Sequence, residues 1–123
     1  MAVTKKRAGK RVYARTRTKF KPKKKGVPNG LELRHKEELI DTRPDVVKVR
    51  YESHTFRLAD NTTYTPDWEV QLKSGEIEYH EVKGGVWLGD SRVKFKMAAE
   101  LYPEYHWKSF LYSGSKLKKE ETL

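Results

Sequence analysis

Two carboxylates and one ammonium group are spaced along this chain in a way that could support hydrolytic chemistry. Asp67 closes the segment Tyr64-Thr65-Pro66-Asp67, and Glu81-Val82-Lys83-Gly84 follows one strand-turn-strand unit later. Residues 64–72 and 76–83 alternate apolar and polar types around Ser74-Gly75, the pattern of a β-hairpin. A loop of residues 73–75 sets Asp67 directly across from Glu81, with side-chain origins about 5 Å apart. A loop of Ser74-Gly75 alone matches Trp68, Val70 and Leu72 to Ile77 and Tyr79 and sets Glu81 against Trp68, with Asp67 one residue off. In that register Glu81 and Lys83 continue the apolar face toward a covering helix. Under either register the two carboxylates are neighbours and repel each other. A bound Mg²⁺ or Mn²⁺ would offset that repulsion, since hard divalent ions take carboxylate and carbonyl oxygens. Lys83 lies two residues after Glu81 and so on the same strand face, where it could position or activate a water.

The elements that must hold these groups read as one α/β unit of residues 29–113. Asn29 caps a first helix that carries Leu31, His35 and Leu39 at i, i+4 and i+8 and ends before Pro44. Residues 46–51 and 54–58, rich in β-branched and aromatic types, are expected to pair with each other as strands. The hairpin follows. Gly84-Gly85 breaks its second strand, and Asp90 is placed to cap a second helix whose buried stripe would be Val93, Met97, Ala98 and Leu101. Pro103 closes that helix, residues 105–112 read as a last strand, and residues 114–123 read as a polar, frayed tail. The expected architecture is a central mixed sheet of four to five strands flanked by helices, in the order α-β-β-β-β-α-β.

Charge is distributed very unevenly. The net charge is +10, yet residues 1–31 contain no acid and twelve bases: Lys5, Lys6, Arg7, Lys10, Arg11, Arg15, Arg17, Lys19, Lys21, Lys23, Lys24 and Lys25. The remainder carries 15 basic against 17 acidic residues. Residues 1–28 therefore read as a basic arm, disordered when free, that a polyanion would order. Nucleic acid is the expected polyanion, because Lys and Arg release condensed counterions from phosphates. Val12, Tyr13 and Phe20 within the arm could stack on bases or pack on the domain. The absence of cysteine excludes disulfides, thiolate metal sites and a cysteine nucleophile. With no apolar run of membrane-spanning length and no secretory signal, a soluble, cytoplasmic protein is expected.

Taken together, Pro66-Asp67, the hairpin, Glu81-Val82-Lys83, the double glycine and the helix beyond resemble the signature of the PD-(D/E)XK nuclease superfamily. The likeness spans residues 29–110 and is strongest to a phage-associated branch similar to Holliday junction resolvases. The resemblance implies a restriction-endonuclease-like core. It also implies that Asp67, Glu81 and the Val82 carbonyl bind the metal, that Lys83 assists the attacking water, and that a first-helix acid joins them. Glu32 matches that acid best, with Glu37 and Glu38 as alternatives. As N3 of a helix capped by Asn29, Glu32 is equally suited to close a capping box. Basic residues of the second helix, Arg92, Lys94 and Lys96, would face phosphate or simply solvent. His35, His54, His80 and His106 show no ligand spacing and read as structural, although His80 stands beside Glu81. Trp68, Trp87 and Trp107 read as core, with Trp87 in the Gly-rich loop the exception to watch.

The implied activity is Mg²⁺-dependent hydrolysis of DNA phosphodiesters, structure-selective on branched DNA. A general, restriction-type or repair-type duplex endonuclease is the alternative within the same chemistry. A non-catalytic DNA-binding protein on a nuclease-like scaffold is the alternative from another class. A small domain with one site would cut both strands of a junction most readily as a symmetric homodimer.

Overall fold

The computed structural model describes residues 26–87 and 89–123. The expected disorder of the basic arm, and the twelve arm cations expected to meet nucleic acid, lie outside the described residues.

Helix α1, Gly30–His35, starts as its sequence requires. The Asn29 side chain accepts from the Glu32 amide at 2.8 Å and the Glu32 carboxylate accepts from the Asn29 amide at 3.0 Å, closing a capping box. The helix runs on as a π-helical turn, Lys36–Ile40, ahead of Pro44. Strands follow at β1 Val46–Tyr51, β2 Phe56–Ala59, β3 Thr62–Tyr64, β4 Trp68–Leu72 and β5 Ile77–Gly84. Helix α2, Asp90–Leu101, leads to β6 His106–Ser113 and β7 Lys116–Thr122. The main sheet has the order β1-β4-β5-β6-β7, with β5 and β6 parallel and every other neighbouring pair antiparallel. The chain is therefore a mixed α/β protein built on a five-stranded mixed sheet.

Several expectations are corrected by this topology. Residues 46–51 and 54–58 do not pair with each other: β1 pairs with β4, and β2 pairs with β3 in a separate two-stranded ribbon. The chain leaves the sheet at Glu52, whose φ is 45°, and β2 then turns back at Asn61. What read as one strand over residues 64–72 is two. Tyr64 ends β3, and Pro66, which has no N–H to give to a ladder, separates it from β4. The hairpin register is that of the three-residue loop, since Trp68 pairs with His80, Gln71 with Ile77, and the Leu72 amide donates to the Glu76 carbonyl. Gly75, at φ 94°, supplies the left-handed turn residue this loop needs. Residues 114–123 are not a frayed tail, because β7 closes the sheet edge beside β6.

The hairpin register sorts the residues of β4 and β5 onto two faces. Trp68, Val70 and Val82 point to the side covered by α1, where they pack with Ile40, Phe110 and Tyr112. Tyr79 points to the other side and packs with Phe56, Tyr64, Phe95, Ala98 and Trp107, under the β2–β3 ribbon and α2. Ile77 and Tyr79 are thus on the opposite face from Trp68 and Val70, contrary to the two-residue-loop register. Helix α2 also turns differently from its expected stripe. Phe95 and Ala98 are fully buried, while Val93, Met97 and Leu101 are 56%, 36% and 52% exposed. Gly89 rather than Asp90 is its N-cap, and no side chain caps it. Among the described residues no helix is long and apolar enough to cross a membrane.

Candidate active site

Asp67 sits where β4 begins, just past Pro66, and Glu81 sits across the hairpin on β5. The β4 ladder stops at Trp68 opposite His80, so the next backbone group on β5 lacks a strand partner. The Asp67 carboxylate takes that place, accepting the Val82 N–H at 2.8 Å. The Glu52 amide fixes the Asp67 carbonyl at 2.8 Å. A strand residue presents its N–H and C=O to the same side, so the Val82 carbonyl also faces Asp67. Glu81 accepts a 2.5 Å hydrogen bond from the Tyr64 hydroxyl and lies 3.3 Å from the Lys83 ammonium.

Glu32 joins them from α1. The Trp68 indole donates to the Glu32 carbonyl at 3.2 Å, which ties the helix start to the first residue of β4. Its carboxylate accepts from the Asn29 amide at 3.0 Å and from the Tyr51 hydroxyl at 2.7 Å. Glu32 therefore closes the capping box and also lines the site. Glu37 and Glu38 are solvent-exposed on the far part of the helix and do not.

These side chains line one open cleft of about 540 Å³ at the end of the sheet, between the start of α1 and the start of α2. Its walls carry five carboxylates, Glu32, Glu52, Asp67, Glu81 and Asp90, against two ammonium groups, Lys83 and Lys94. Asp67 and Glu81 are buried. Burial, then the charges of Glu81 and Glu32, push the Asp67 carboxyl up to about 9, with the Val82 N–H and Lys83 opposing. Burial likewise raises the Glu81 carboxyl, against the Tyr64 and Lys83 hydrogen bonds. The pair thus resists holding two charges at once. A divalent cation suits that donor set: two buried carboxyl groups that only added positive charge lets ionise together, a carbonyl facing the same gap and a third carboxylate on the wall. Among the described residues no three His, Asp or Glu side chains stand together so as to hold a metal ion between them.

The expected basic residues of α2 separate. Lys94 lines the cleft. Arg92 turns away to lie 5.2 Å over the Trp87 ring and 3.5 Å from Glu121, and Lys96 is exposed on a different flank. Trp87 itself is buried against Phe95 and is a core residue. His80 does not reach Glu81, because adjacent strand residues point to opposite faces.

On that opposite face lies a buried polar chain that sequence spacing had not connected. Tyr112 Oη is 2.7 Å from His35 Nδ1, His35 Nε2 is 3.0 Å from His80 Nδ1, and His80 Nε2 is 2.8 Å from Glu78. Arg43 then grips Glu78 through two hydrogen bonds of 2.8 and 3.0 Å. Burial depresses both histidines, His35 to about 3 with His80 adding to the effect. Burial opposes ionisation of Glu78, but the hydrogen bonds from His80 and Arg43 outweigh it and hold that carboxyl well below its usual range. Neutral histidines satisfy every contact if Tyr112 donates to His35, His35 to His80, and His80 to Glu78. This chain ties α1 to β5 and β6 behind the cleft. The alternation of Glu78 and His80 on one strand face was its one sequence signal. Tyr64 and Tyr51, which hold Glu81 and Glu32, carry no sequence signal of that role.

The chain matches no family model, no curated protein and no solved structure.

Proposed function

We propose that this chain is a metal-dependent nuclease acting on DNA, with its site in the cleft of Asp67, Glu81 and Lys83. One observation carries the reading: two buried, mutually repelling carboxylates from adjacent strands meet a lysine from the same strand in an open, solvent-reachable cleft. Folding alone gives no return for that arrangement, since buried like charges destabilise the native state unless a ligand compensates them. The order helix, antiparallel strands bearing the acids, helix, parallel strand supports a restriction-endonuclease-like core of the kind the motif resembles.

Asp67, Glu81 and the Val82 carbonyl would hold Mg²⁺ or Mn²⁺, with Glu32 on the wall to join them. When bound, such an ion supplies Lewis acidity, lowering the pKa of water and drawing negative charge from a phosphoryl group. The Val82 N–H keeps the Asp67 carboxylate aimed into the cleft, and Tyr64 does the same for Glu81. Lys83, its ammonium beside Glu81 and part-exposed, orients the attacking water and offsets charge in the transition state. Lys94 on the rim meets a backbone phosphate of the bound strand, which positions DNA without reading bases. The basic arm adds affinity of the same sequence-independent kind. Branched DNA is the proposed substrate.

Labelled four-way junction, flap and linear duplex, each incubated with purified protein in Mg²⁺ or EDTA, test the proposal. Metal-dependent cutting concentrated on the junction is expected. Equal cutting of all three would place the protein among general endonucleases. Tight binding with no cutting in Mg²⁺ or Mn²⁺ would leave a non-catalytic DNA-binding protein.

A further inference from the structure

Ser109 on β6 is a buried polar residue that the fold leaves unused. It is 6% exposed, and among the described residues its hydroxyl has no hydrogen-bond partner. A buried hydroxyl left unpaired opposes folding, so a ligand that pairs with it is favoured. Ser109 lines a pocket of about 230 Å³, with Val86 and Leu111 as apolar walls and Lys118 and Lys119 of β7 as basic ones. No residue of this pocket belongs to the acidic cleft.

The edge strand is irregular where it meets this pocket. Lys119 pairs with Leu111 and Leu117 with Tyr112, so the register passes over Lys118 at a β-bulge. A regular strand would send Lys118 and Lys119 to opposite faces, whereas a bulge re-aims a side chain, and here both lysines line the pocket. Neither has an ion-pair partner among the described residues. Arg92 and Glu121, also on the wall, are already engaged: they stand 3.5 Å apart, and Arg92 lies over the Trp87 ring. Two uncompensated ammonium groups, a buried hydroxyl and apolar walls select a ligand that joins negative charge to a body with apolar faces. A nucleotide has both, in its phosphate and its base.

The sheet register places the pocket beside the cleft. Glu81 and Lys83 pair with Ser109 and Leu111, which pair in turn with Glu121 and Lys119. Register partners point to the same face, so Lys119 lies two strand spacings, about 10 Å, from Lys83 across that face. A paired base is stacked and closed to such a pocket, whereas an unpaired one can enter it. We infer that the pocket binds one unpaired nucleotide of the DNA strand held in the cleft, with its phosphate at Lys118 and Lys119. Its base lies against Val86 and Leu111, where the Ser109 hydroxyl meets a polar edge. The inference rests on the proposed function for the strand's place in the cleft, and it narrows the branched substrate to DNA carrying an unpaired nucleotide beside the cut.

An end-labelled duplex bearing one unpaired 2-aminopurine nucleotide, and the same duplex with that nucleotide paired, test it by fluorescence anisotropy with the full chain. EDTA is present throughout, so that the readout is binding alone. The wild type is expected to bind the unpaired form about tenfold tighter, with a change in 2-aminopurine emission that the paired form lacks. Lys118→Gln together with Lys119→Gln should remove most of that preference, while affinity for the paired duplex falls no more than about threefold because the arm supplies it. Ser109→Ala should cut the preference about threefold. A wild type without preference overturns the inference. So does a preference that survives these substitutions, or lysine substitutions that weaken both duplexes equally, which would reduce Lys118 and Lys119 to surface charge. A preference kept by a chain that cuts nothing in Mg²⁺ supports the pocket and counts against the nuclease reading, and cutting without preference does the reverse.

Discussion

Replacing Asp67 by Asn should stabilise the metal-free protein while disabling its site. The amide oxygen of Asn can still accept the Val82 N–H, so the substitution removes a charge and preserves the hydrogen bond that anchors the position. Burial, with Glu81 and Glu32, holds the native Asp67 carboxyl up to about 9, against an ordinary value of 3.8. Between those values the native state keeps a proton that the unfolded chain has released, so wild-type stability falls as pH rises through the window. Each pH unit inside it costs up to about 1.4 kcal/mol. From about pH 6 to about pH 8 the wild-type protein in EDTA should therefore lose up to about 3 kcal/mol that the Asn variant does not. Urea denaturation followed by circular dichroism at both pH values reads this gap directly. Mg²⁺ should then narrow the gap, adding about 2.7 kcal/mol to the wild type at a hundredfold excess over its Kd and little to the variant. An Asn variant less stable than wild type at both pH values, or a gap that ignores pH, would refute the reasoning that the cleft opposes ionisation of Asp67.

The His35 ring, held down to about 3, stays neutral in the native state while the unfolded chain takes up a proton below 6.5. Its contribution is complete above that value and is lost as pH falls toward 3, about 2 kcal/mol of it by pH 5. Since Asp67 titrates in the opposite sense, the readout is the difference between wild type and His35→Gln in urea denaturation at pH 7.5 and 5, and equal slopes would count against the buried histidine chain. Tyr64→Phe keeps the ring in its core and removes only the hydrogen bond to Glu81. It should slow single-turnover cleavage about tenfold and lower stability by about 1 kcal/mol, and an unchanged rate would make the phenol purely structural. Glu32→Gln can still close the capping box, so its melt should stay within about 0.5 kcal/mol of wild type while cleavage drops at least tenfold. Glu32→Ala should lose about 1 kcal/mol as well, and full activity in the Gln variant would restrict Glu32 to its cap.

What could be read from the residues alone follows the range of the interactions involved. The Asn29–Glu32 cap, the β4–β5 hairpin and the closeness of Asp67 to Glu81 are local, set by turn chemistry and alternation over a few residues. Strand pairing across intervening segments was not legible. Residues 46–51 and 54–58 looked like neighbours, and only the positive φ at Glu52 and the proline break at Pro66 explain why β1 reaches past the ribbon to β4. In α2 two apolar patterns overlap, Phe95 with Ala98 and Val93 with Met97 and Leu101, and periodicity does not say which one the sheet will cover. Lys116–Thr122 is so polar that only its pairing with β6 reveals a strand, as suits an edge. In the site, the acids and Lys83 were recognisable by type and spacing. Tyr51, Tyr64 and the Tyr112–His35–His80–Glu78 chain depend on contacts between residues far apart in sequence.

The most direct test of the proposed site is single-turnover cleavage of a labelled DNA junction by the wild type, Asp67→Asn and Lys83→Met in Mg²⁺, with binding measured on the same DNA. Metal-dependent cleavage that either substitution reduces by about 10³ or more, while affinity stays within a few-fold, is the predicted result. Cleavage that survives both substitutions, or that proceeds unchanged in EDTA, would contradict it.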